Sequence, residues 1–363
     1  MSELRRAIAD VVAGRVLDPE CLGRAFGEIM DGEASPAAAA GLLVALRMRG
    51  ETVDEIVAVA KALRARATTV RVRDPRVIDT CGTGGSGLDT FNVSTTAALV
   101  VAGCGVSVAK HGNRAATSRA GSFDVLEALG IRIDLPIETC GRILDEIGIA
   151  PFFARTAHPA FRHVAPVRAE LGVRTLLNCL GPLLSPVGAR YQVVGVYSPD
   201  LVEPLAGALA RLGAERALVV HGEDGMDELT TTGRSRAALV GDGRVAAFEV
   251  DPAALGLERS TLAALAGGGP AENAAILRRL LDGERGPRRD IVLLNAAAAL
   301  WVVEAVDSLE AGLVRAARSI DEGAARAKLE ALVRATAEAG ARLDAGAQAS
   351  DGNASLRAEA RPA

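Results

Sequence analysis

No stretch of this sequence approaches the roughly 20 consecutive apolar residues that a membrane-spanning helix requires, so a membrane protein is not expected. Nor is there an excess of basic charge. Lys and Arg number 41 against 45 Asp and Glu, a formal net charge of −4. That balance argues against a nucleic-acid or anionic-membrane partner, and any polyanionic small molecule must be held by local donors and a metal ion. Cysteine is sparse: five residues, odd in number and with no C-x-x-C, expected as reduced, buried thiols of a cytoplasmic protein. Only four histidines occur, and no Ser-His-Asp or Cys-His arrangement can be read from them. The first residues carry Glu3, Arg5, Arg6 and Asp10, so no signal peptide is expected.

The 363 residues, 49% hydrophobic and 24% charged, suit a folded chain with one large domain and one small. Its chemistry concentrates between Asp79 and Ser122. Arg76-Val77-Ile78-Asp79 is a short strand signal that empties into Gly82-Thr83-Gly84-Gly85-Ser86-Gly87, a loop able to approach a ligand closely. After Ser94-Thr95, two candidate N-cap hydroxyls, comes a buried helix signal from Ala97 to Ala102. A second strand signal, Val106 to Ala109, delivers Lys110 to the same sheet edge, where open α/β sheets bind ligands. Exposed N–H groups in such a loop make an anion site. Gly82, Gly84 and Gly87 also fit the loose pattern G-x-G-x-x-G. The helix does not open at those glycines, though, and the loop lacks the Gly-Lys-Ser/Thr ending of a P-loop. On its own the loop reads equally as a tight turn without a ligand.

It has company. Gly82-Thr83-Gly84-Gly85, Asn92-Val93-Ser94-Thr95, Lys110-His111-Gly112-Asn113-Arg114 and Gly121-Ser122-Phe123-Asp124 are followed by His158-Pro159, Val167-Arg168, Asn178 to Leu183 and Met226-Asp227-Glu228-Leu229. In this order, covering most of the chain, the set resembles the anthranilate phosphoribosyltransferases, which join anthranilate to phosphoribosyl pyrophosphate (PRPP) in tryptophan biosynthesis. The sequence departs from the family at Ser86, where an acidic residue is usual, and at Phe123, where a small one is.

The resemblance implies a small all-helical domain plus a larger α/β domain with a mostly parallel central sheet flanked by helices. It implies PRPP binding by Gly82, Gly85, Ser86, Thr90, Asn92, Val93, Ser94 and Thr95, by Lys110, His111, Gly112, Asn113, Arg114, Ala115, Ala116, Thr117 and Ser118, and by Ser122. Anthranilate contacts fall on Gly82, Asn113 and Arg168; Arg168 suits a carboxylate because guanidinium matches it in a bidentate fork. Mg²⁺, as two ions with PRPP bound, is carried by Ser94, Asp227 and Glu228, in keeping with a cation that takes one or two carboxylates plus substrate oxygens and water. No acid or base is assigned, because the aromatic amine of anthranilate is already neutral at neutral pH; His111 reads as well as a loop-ordering residue. Two other readings remain, a pyrimidine nucleoside phosphorylase-type enzyme and a non-catalytic nucleic-acid-binding relative. Lys110 to Arg114 with Arg168 disfavour the first; the net charge and Asp227-Glu228 disfavour the second.

Along the chain, residues 3 to about 67 read as four helices within a small domain of residues 1–72, with Asp18-Pro19 and Ser35-Pro36 as starts and Thr52 with Glu55 as a capping box. By resemblance these helices are joined in space by residues 158–184 and make a homodimer. Residues 73–157 and 185–343 form the α/β domain. Strand signals lie at Ile131-Arg132-Ile133, Pro151 to Ala154, Tyr191 to Tyr197 and Ala217 to His221. Leu239 to Val250 reads as a hairpin turning at Gly241-Asp242-Gly243. Residues 344–363 read as a flexible tail.

Overall fold

The computed structural model describes residues 2–115 and 119–359. Four helices open it: α1 (Glu3–Val12), α2 (Pro19–Met30), α3 (Pro36–Arg49) and α4 (Val53–Arg64). Their starts are where the caps put them. The Asp18 carboxylate accepts from the Cys21 N–H at 2.8 Å, the Ser35 hydroxyl from Ala38 N–H at 3.3 Å, and Thr52 and Glu55 close a reciprocal box. Glu55 is fully buried; it also accepts from Leu17 N–H and pairs with Arg49, which ties the loop before α2 to α3 and α4.

The rest alternates strand and helix: β1 (Ile78–Gly82), α5 (Val93–Gly103), β2 (Val108–Gly112), α6 (Ser122–Ala128), α7 (Ile137–Ile147), β3 (Ile149–Phe153), α8 (Ala154–Ala157), α9 (Ala165–Leu171), α10 (Leu177–Leu180), β4 (Tyr191–Gly195), α11 (Val202–Arg211) and β5 (Arg216–Gly222). An antiparallel hairpin follows, β6 (Ser235–Gly241) and β7 (Arg244–Val250), turning through Asp242 and Gly243 at φ 50° and 70° as a tight two-residue loop requires. Four helices finish the chain: α12 (Pro270–Leu281), α13 (Pro287–Val302), α14 (Leu309–Asp321) and α15 (Ala324–Glu359).

The seven strands form one sheet in the order β3-β2-β1-β4-β5-β6-β7, parallel from β3 to β5. Because side chains alternate across a sheet, β5 sends Leu218 and Val220 into a core with α5 and α13, and Ala217 and Val219 into a second core with α11 and the N-terminal helices. That second core also takes Val164, Val167, Leu176, Leu177, Leu180 and Leu183, so the segment around α9 and α10 packs with Leu22, Phe26 and Leu42 of the first four helices. The chain runs from β1 to β2 on one side and reaches β4 on the other. The carboxyl ends of β1 and β4 therefore flank the topological switch point, where a crevice is expected.

Three local expectations need correction. Ile131-Arg132-Ile133 is not a strand: Ile131 N–H closes α6 by donating to the Leu126 carbonyl, Arg132 N–H donates to Thr336 Oγ1, and the alternation serves an irregular segment packed on α15. Helix α5 begins at Val93 with Asn92 in the cap position, so Ser94 and Thr95 lie inside its first turn. From Asp344 to Glu359, the stretch whose composition suggests a tail, the chain carries on as helix α15.

Candidate active site

The four strands around the switch point, β1, β2, β4 and β5, each end on a glycine. Gly82 and Gly195 are register partners, and the loop after β5 folds back over them. A Cβ on Gly195 would stand 1.6 Å from the Asp227 carbonyl oxygen, and one on Gly82 would stand 2.6 Å from Asp227 Oδ2. Only bare backbone lets Asp227 settle across the ends of β1 and β4. Asp224 shapes that loop from behind: its Oδ1 accepts from Met226 N–H at 3.0 Å, and its Oδ2 accepts from the Thr230 and Thr232 hydroxyls at 2.6 Å each.

The result brings three distant segments together. Asp227 Oδ2 accepts from Gly84 N–H at 3.0 Å, and Glu228 Oε1 accepts from Ser94 N–H at 3.2 Å, in the first turn of α5. Carboxylates suit that position, since the N-terminal turn of a helix carries unpaired N–H groups and positive potential. Both carboxylates are half-buried in the crevice. Burial raises the Asp227 carboxyl above its usual range. Burial, then the neighbouring Asp227 charge, pushes Glu228 up to about 8. Two carboxylates withdrawn from water, with raised pKa values, form a site short of positive charge, which a divalent cation would relieve. No cluster of three or more His, Cys, Asp or Glu is present among the described residues, so a metal here would need water or substrate oxygens to complete its shell.

Lys110 and His111 lie within β2 rather than in the loop after it. The Lys110 ammonium is only 4% exposed and donates to the Thr80 carbonyl, so its charge acts from beneath the crevice, offsetting Asp79 and Glu228. Asp79, fully buried, accepts from the His111 N–H at 3.2 Å, and burial raises its carboxyl to about 6. The His111 ring meets His158 edge to face at 5.2 Å between centroids. Both rings are buried, His111 Nε2 and both His158 nitrogens lack a partner, and burial lowers their pKa values to about 3 and about 4. They are neutral at pH 7. His221 is buried with Nδ1 2.7 Å from the Val196 carbonyl oxygen, a strand-capping role.

The remaining expected residues divide. Gly82, Gly85, Ser86, Thr90, Asn92, Val93, Ser94 and Thr95 line the path from β1 into α5; the Ser86 hydroxyl partly offsets the rise that burial imposes on the Asp227 carboxyl. Gly112, Asn113, Arg114, Ala115 and Ser122 form the turn from β2 to α6. There Arg114 is held by both Glu127 oxygens, at 2.9 and 3.0 Å, and Asp124 Oδ2 accepts from Ala115 and Gly121 N–H. Phe123 stacks on Phe153 at 5.0 Å and fills the space under Gly112. Ala116, Thr117 and Ser118 lie outside the described residues. Arg168 is half-buried on α9 and its guanidinium makes no hydrogen bond or ion pair among the described residues; burial lowers its pKa. An unpaired, half-buried guanidinium is a site for an anion.

Comparison with known proteins agrees with this geometry. The profile described as "Glycosyl transferase family, a/b domain" matches residues 74–326, and "Glycosyl transferase family, helical bundle domain" matches residues 5–67. An anthranilate phosphoribosyltransferase of Rubrobacter xylanophilus is 55% identical, with 91% of this chain and 97% of that protein covered. One of Moorella thermoacetica is 52% identical over the same shares. The chain belongs to the anthranilate phosphoribosyltransferase family. The crystal structure of the Thermus thermophilus member superposes with a TM-score of 0.87 at 50% identity, covering 93% of this chain and 99% of that one. The Saccharomyces cerevisiae member in complex with PRPP and Mg superposes with a TM-score of 0.85 at 28% identity, covering 92% and 98%. The chain is thus a pentosyl transferase of the family's kind, and neither a nucleoside phosphorylase nor a nucleic-acid-binding relative is favoured.

Within this family member, four residues build the site that the sequence did not single out. Asp79 and Gly195 are described above. Asn273 donates to Asn92 Oδ1 at 2.9 Å and accepts from Gly268 N–H at 2.7 Å, fixing the approach to α5; the run Gly267-Gly268-Gly269 before it was a readable signal of close backbone approach. The fourth, Arg174, donates to the Gly85 carbonyl.

Proposed function

We infer that this chain transfers the phosphoribosyl group of PRPP to the amino group of anthranilate, giving N-(5-phosphoribosyl)anthranilate and pyrophosphate, for tryptophan biosynthesis. The observation that carries the reading is the docking of Asp227 and Glu228 onto the Gly84 and Ser94 N–H groups, which joins a metal-competent carboxylate pair to an anion loop. Mg²⁺, two ions in this reading, would neutralise the leaving diphosphate from Asp227, Glu228 and Ser94. The chain's own groups do the rest. Backbone N–H groups from Gly82 to Ser86, the first turn of α5 and the β2–α6 turn orient the diphosphate and ribose, and Lys110 supplies charge from below. Arg168, with Asn113 and Gly82, takes the acceptor carboxylate and aims its amine at C1 of the ribose. Closure of the helical domain (residues 1–72 with 158–184) on the α/β domain (73–157 and 185–343) excludes water.

The same reading includes a cytoplasmic homodimer through the N-terminal helices. Supporting it, Val12, Val16 and Met48 are 72%, 66% and 83% exposed, and Arg49 Nη1 donates to the Arg15 carbonyl at 2.7 Å, which ties the end of α3 to the loop after α1. Mixing protein, Mg²⁺, PRPP and anthranilate and following anthranilate fluorescence tests the reaction. Loss that requires all four supports it; no loss at any protein concentration overturns it. Sedimentation showing a monomer at micromolar concentration would remove the dimer alone.

A further inference from the structure

We propose that Arg174 is a positioning residue that latches the helical domain to the glycine loop and sets that loop for PRPP; the proposal rests on the reaction inferred above. Arg174 leaves the short link between α9 and α10. Its base is fixed within the helical core: Thr175 N–H donates to Asn178 Oδ1 at 2.9 Å, and Leu176 and Leu177 are buried with the N-terminal helices. Its guanidinium, however, lies across the crevice. The guanidinium carbon sits 4.3 Å from the centre of the Tyr197 ring, and Nη2 donates to the Gly85 carbonyl. Tyr197, two residues beyond β4, closes the circuit, since its N–H donates to Thr83 Oγ1 at 3.1 Å while Thr83 N–H donates to the Gly195 carbonyl at 2.8 Å.

The chemistry explains the arrangement. A loop that binds an anion through N–H groups must keep its carbonyls turned away, because a carbonyl dipole aimed at a diphosphate repels it. Gly84 and Gly85, at φ 65° and 81°, can turn their peptides either way at little cost, so something outside the loop must choose. Arg174 chooses by engaging the Gly85 carbonyl. The Tyr197 ring, 4.3 Å from the guanidinium carbon, holds the group where it reaches that oxygen. No carboxylate among the described residues pairs with Arg174, so its charge stays available to the substrate side of the crevice. Because the base of Arg174 belongs to the helical core, the loop takes this shape only when that core sits where this structure has it.

Arginine rather than lysine is required. An ammonium can donate to one carbonyl, yet it cannot lie flat on a ring and donate in the ring's plane direction at once.

The test uses the full chain. Calorimetric titration of Mg²⁺ and PRPP without acceptor should show binding weakened by about tenfold in Arg174→Ala, with at most partial recovery in Arg174→Lys. Tyr197→Phe should bind as the parent does, and Tyr197→Leu should lose as much as Arg174→Ala, with no further loss when the two are combined. In kinetics, the PRPP KM should rise while the anthranilate KM at saturating PRPP stays put, a split that general loss of stability does not give. If Arg174→Ala fails to fold, Arg174→Lys and Tyr197→Leu carry the same comparison. Unchanged PRPP binding in folded Arg174 variants, or simple additivity with Tyr197→Leu, would overturn the latch. A parent enzyme without transferase activity would instead refute the underlying reaction, so the two failures are separate.

Discussion

Replacing Gly195 by alanine offers the sharpest check on how the proposed metal site is built. The backbone there is not in the left-handed region, so an alanine meets no dihedral strain and the effect is one of space alone. Its Cβ would stand 1.6 Å from the Asp227 carbonyl oxygen and 2.4 Å from the carbonyl carbon, where an ordinary contact needs 3.4 Å or more. One side must therefore move by well over an ångström. Gly195 cannot: β4 is hydrogen-bonded to β1 and β5 on both sides. The Asp227 peptide must yield, and it carries both carboxylates off the Gly84 and Ser94 N–H groups. Overpacking of this kind costs about 1–3 kcal/mol, which a chain of this size survives. We expect Gly195→Ala to fold, with a far-ultraviolet circular dichroism spectrum like the parent's, and to lose at least about 100-fold in turnover, about 2.7 kcal/mol or more of transition-state stabilisation. Gly82→Ala is the internal comparison, because its added Cβ meets Asp227 Oδ2 at 2.6 Å, the movable end of a side chain. It should raise the Mg²⁺ requirement with a smaller loss of turnover. A Gly195→Ala enzyme with parental turnover and Mg²⁺ requirement would refute this account of the crevice.

Replacing Asp227 and Glu228 together by alanine should abolish turnover and, by removing two carboxyl groups withdrawn from water, leave the thermal midpoint unchanged or higher; near-parental turnover in Mg²⁺ would mean the metal is held elsewhere. Arg168→Ala should weaken anthranilate use by more than about tenfold, the cost of truncating a charged hydrogen-bond partner, while PRPP binding measured by calorimetry barely changes. The reverse pattern would take Arg168 out of the acceptor site. The buried histidines predict acid sensitivity with a definite sign. A base whose folded pKa falls from 6.5 to about 4, as for His158, binds fewer protons folded than unfolded, so stability drops as pH falls below about 6.5 and levels off below about 4. Urea denaturation at pH 7 and 5 should show the parent losing about 2 kcal/mol relative to His158→Asn, which cannot titrate. Equal pH dependence in the two proteins would show that the ring is not held neutral.

What the sequence made legible was whatever local chemistry dictates. The caps at Asp18, Ser35 and Thr52 fixed three helix starts, because each satisfies N–H groups of its own first turn. The Asp242-Gly243 turn fixed a hairpin register for the same reason. Ile131-Arg132-Ile133 misled because alternation records only that Ile131 and Ile133 face the core; whether a neighbouring strand is there to pair with them depends on the sheet ending at β3. The site divides along the same line. The glycine loop carries an anion-binding backbone in its residue types, so it could be read directly, whereas Ser94 and the Asp227-Glu228 pair were readable only through the family resemblance. Lys110 could be read as a cation but not as a buried one, since its depth follows from β2 continuing through His111 to Gly112 between β1 and β3. Gly195 and Arg174 were out of reach for a further reason. Each matters through an atom more than 30 residues away, the Asp227 carbonyl for one and the Gly85 carbonyl for the other. Nothing within a few positions of either residue distinguishes it from an ordinary strand glycine or surface arginine. Such residues become visible only when the chain is folded, and they are the ones that hold the legible chemistry in place.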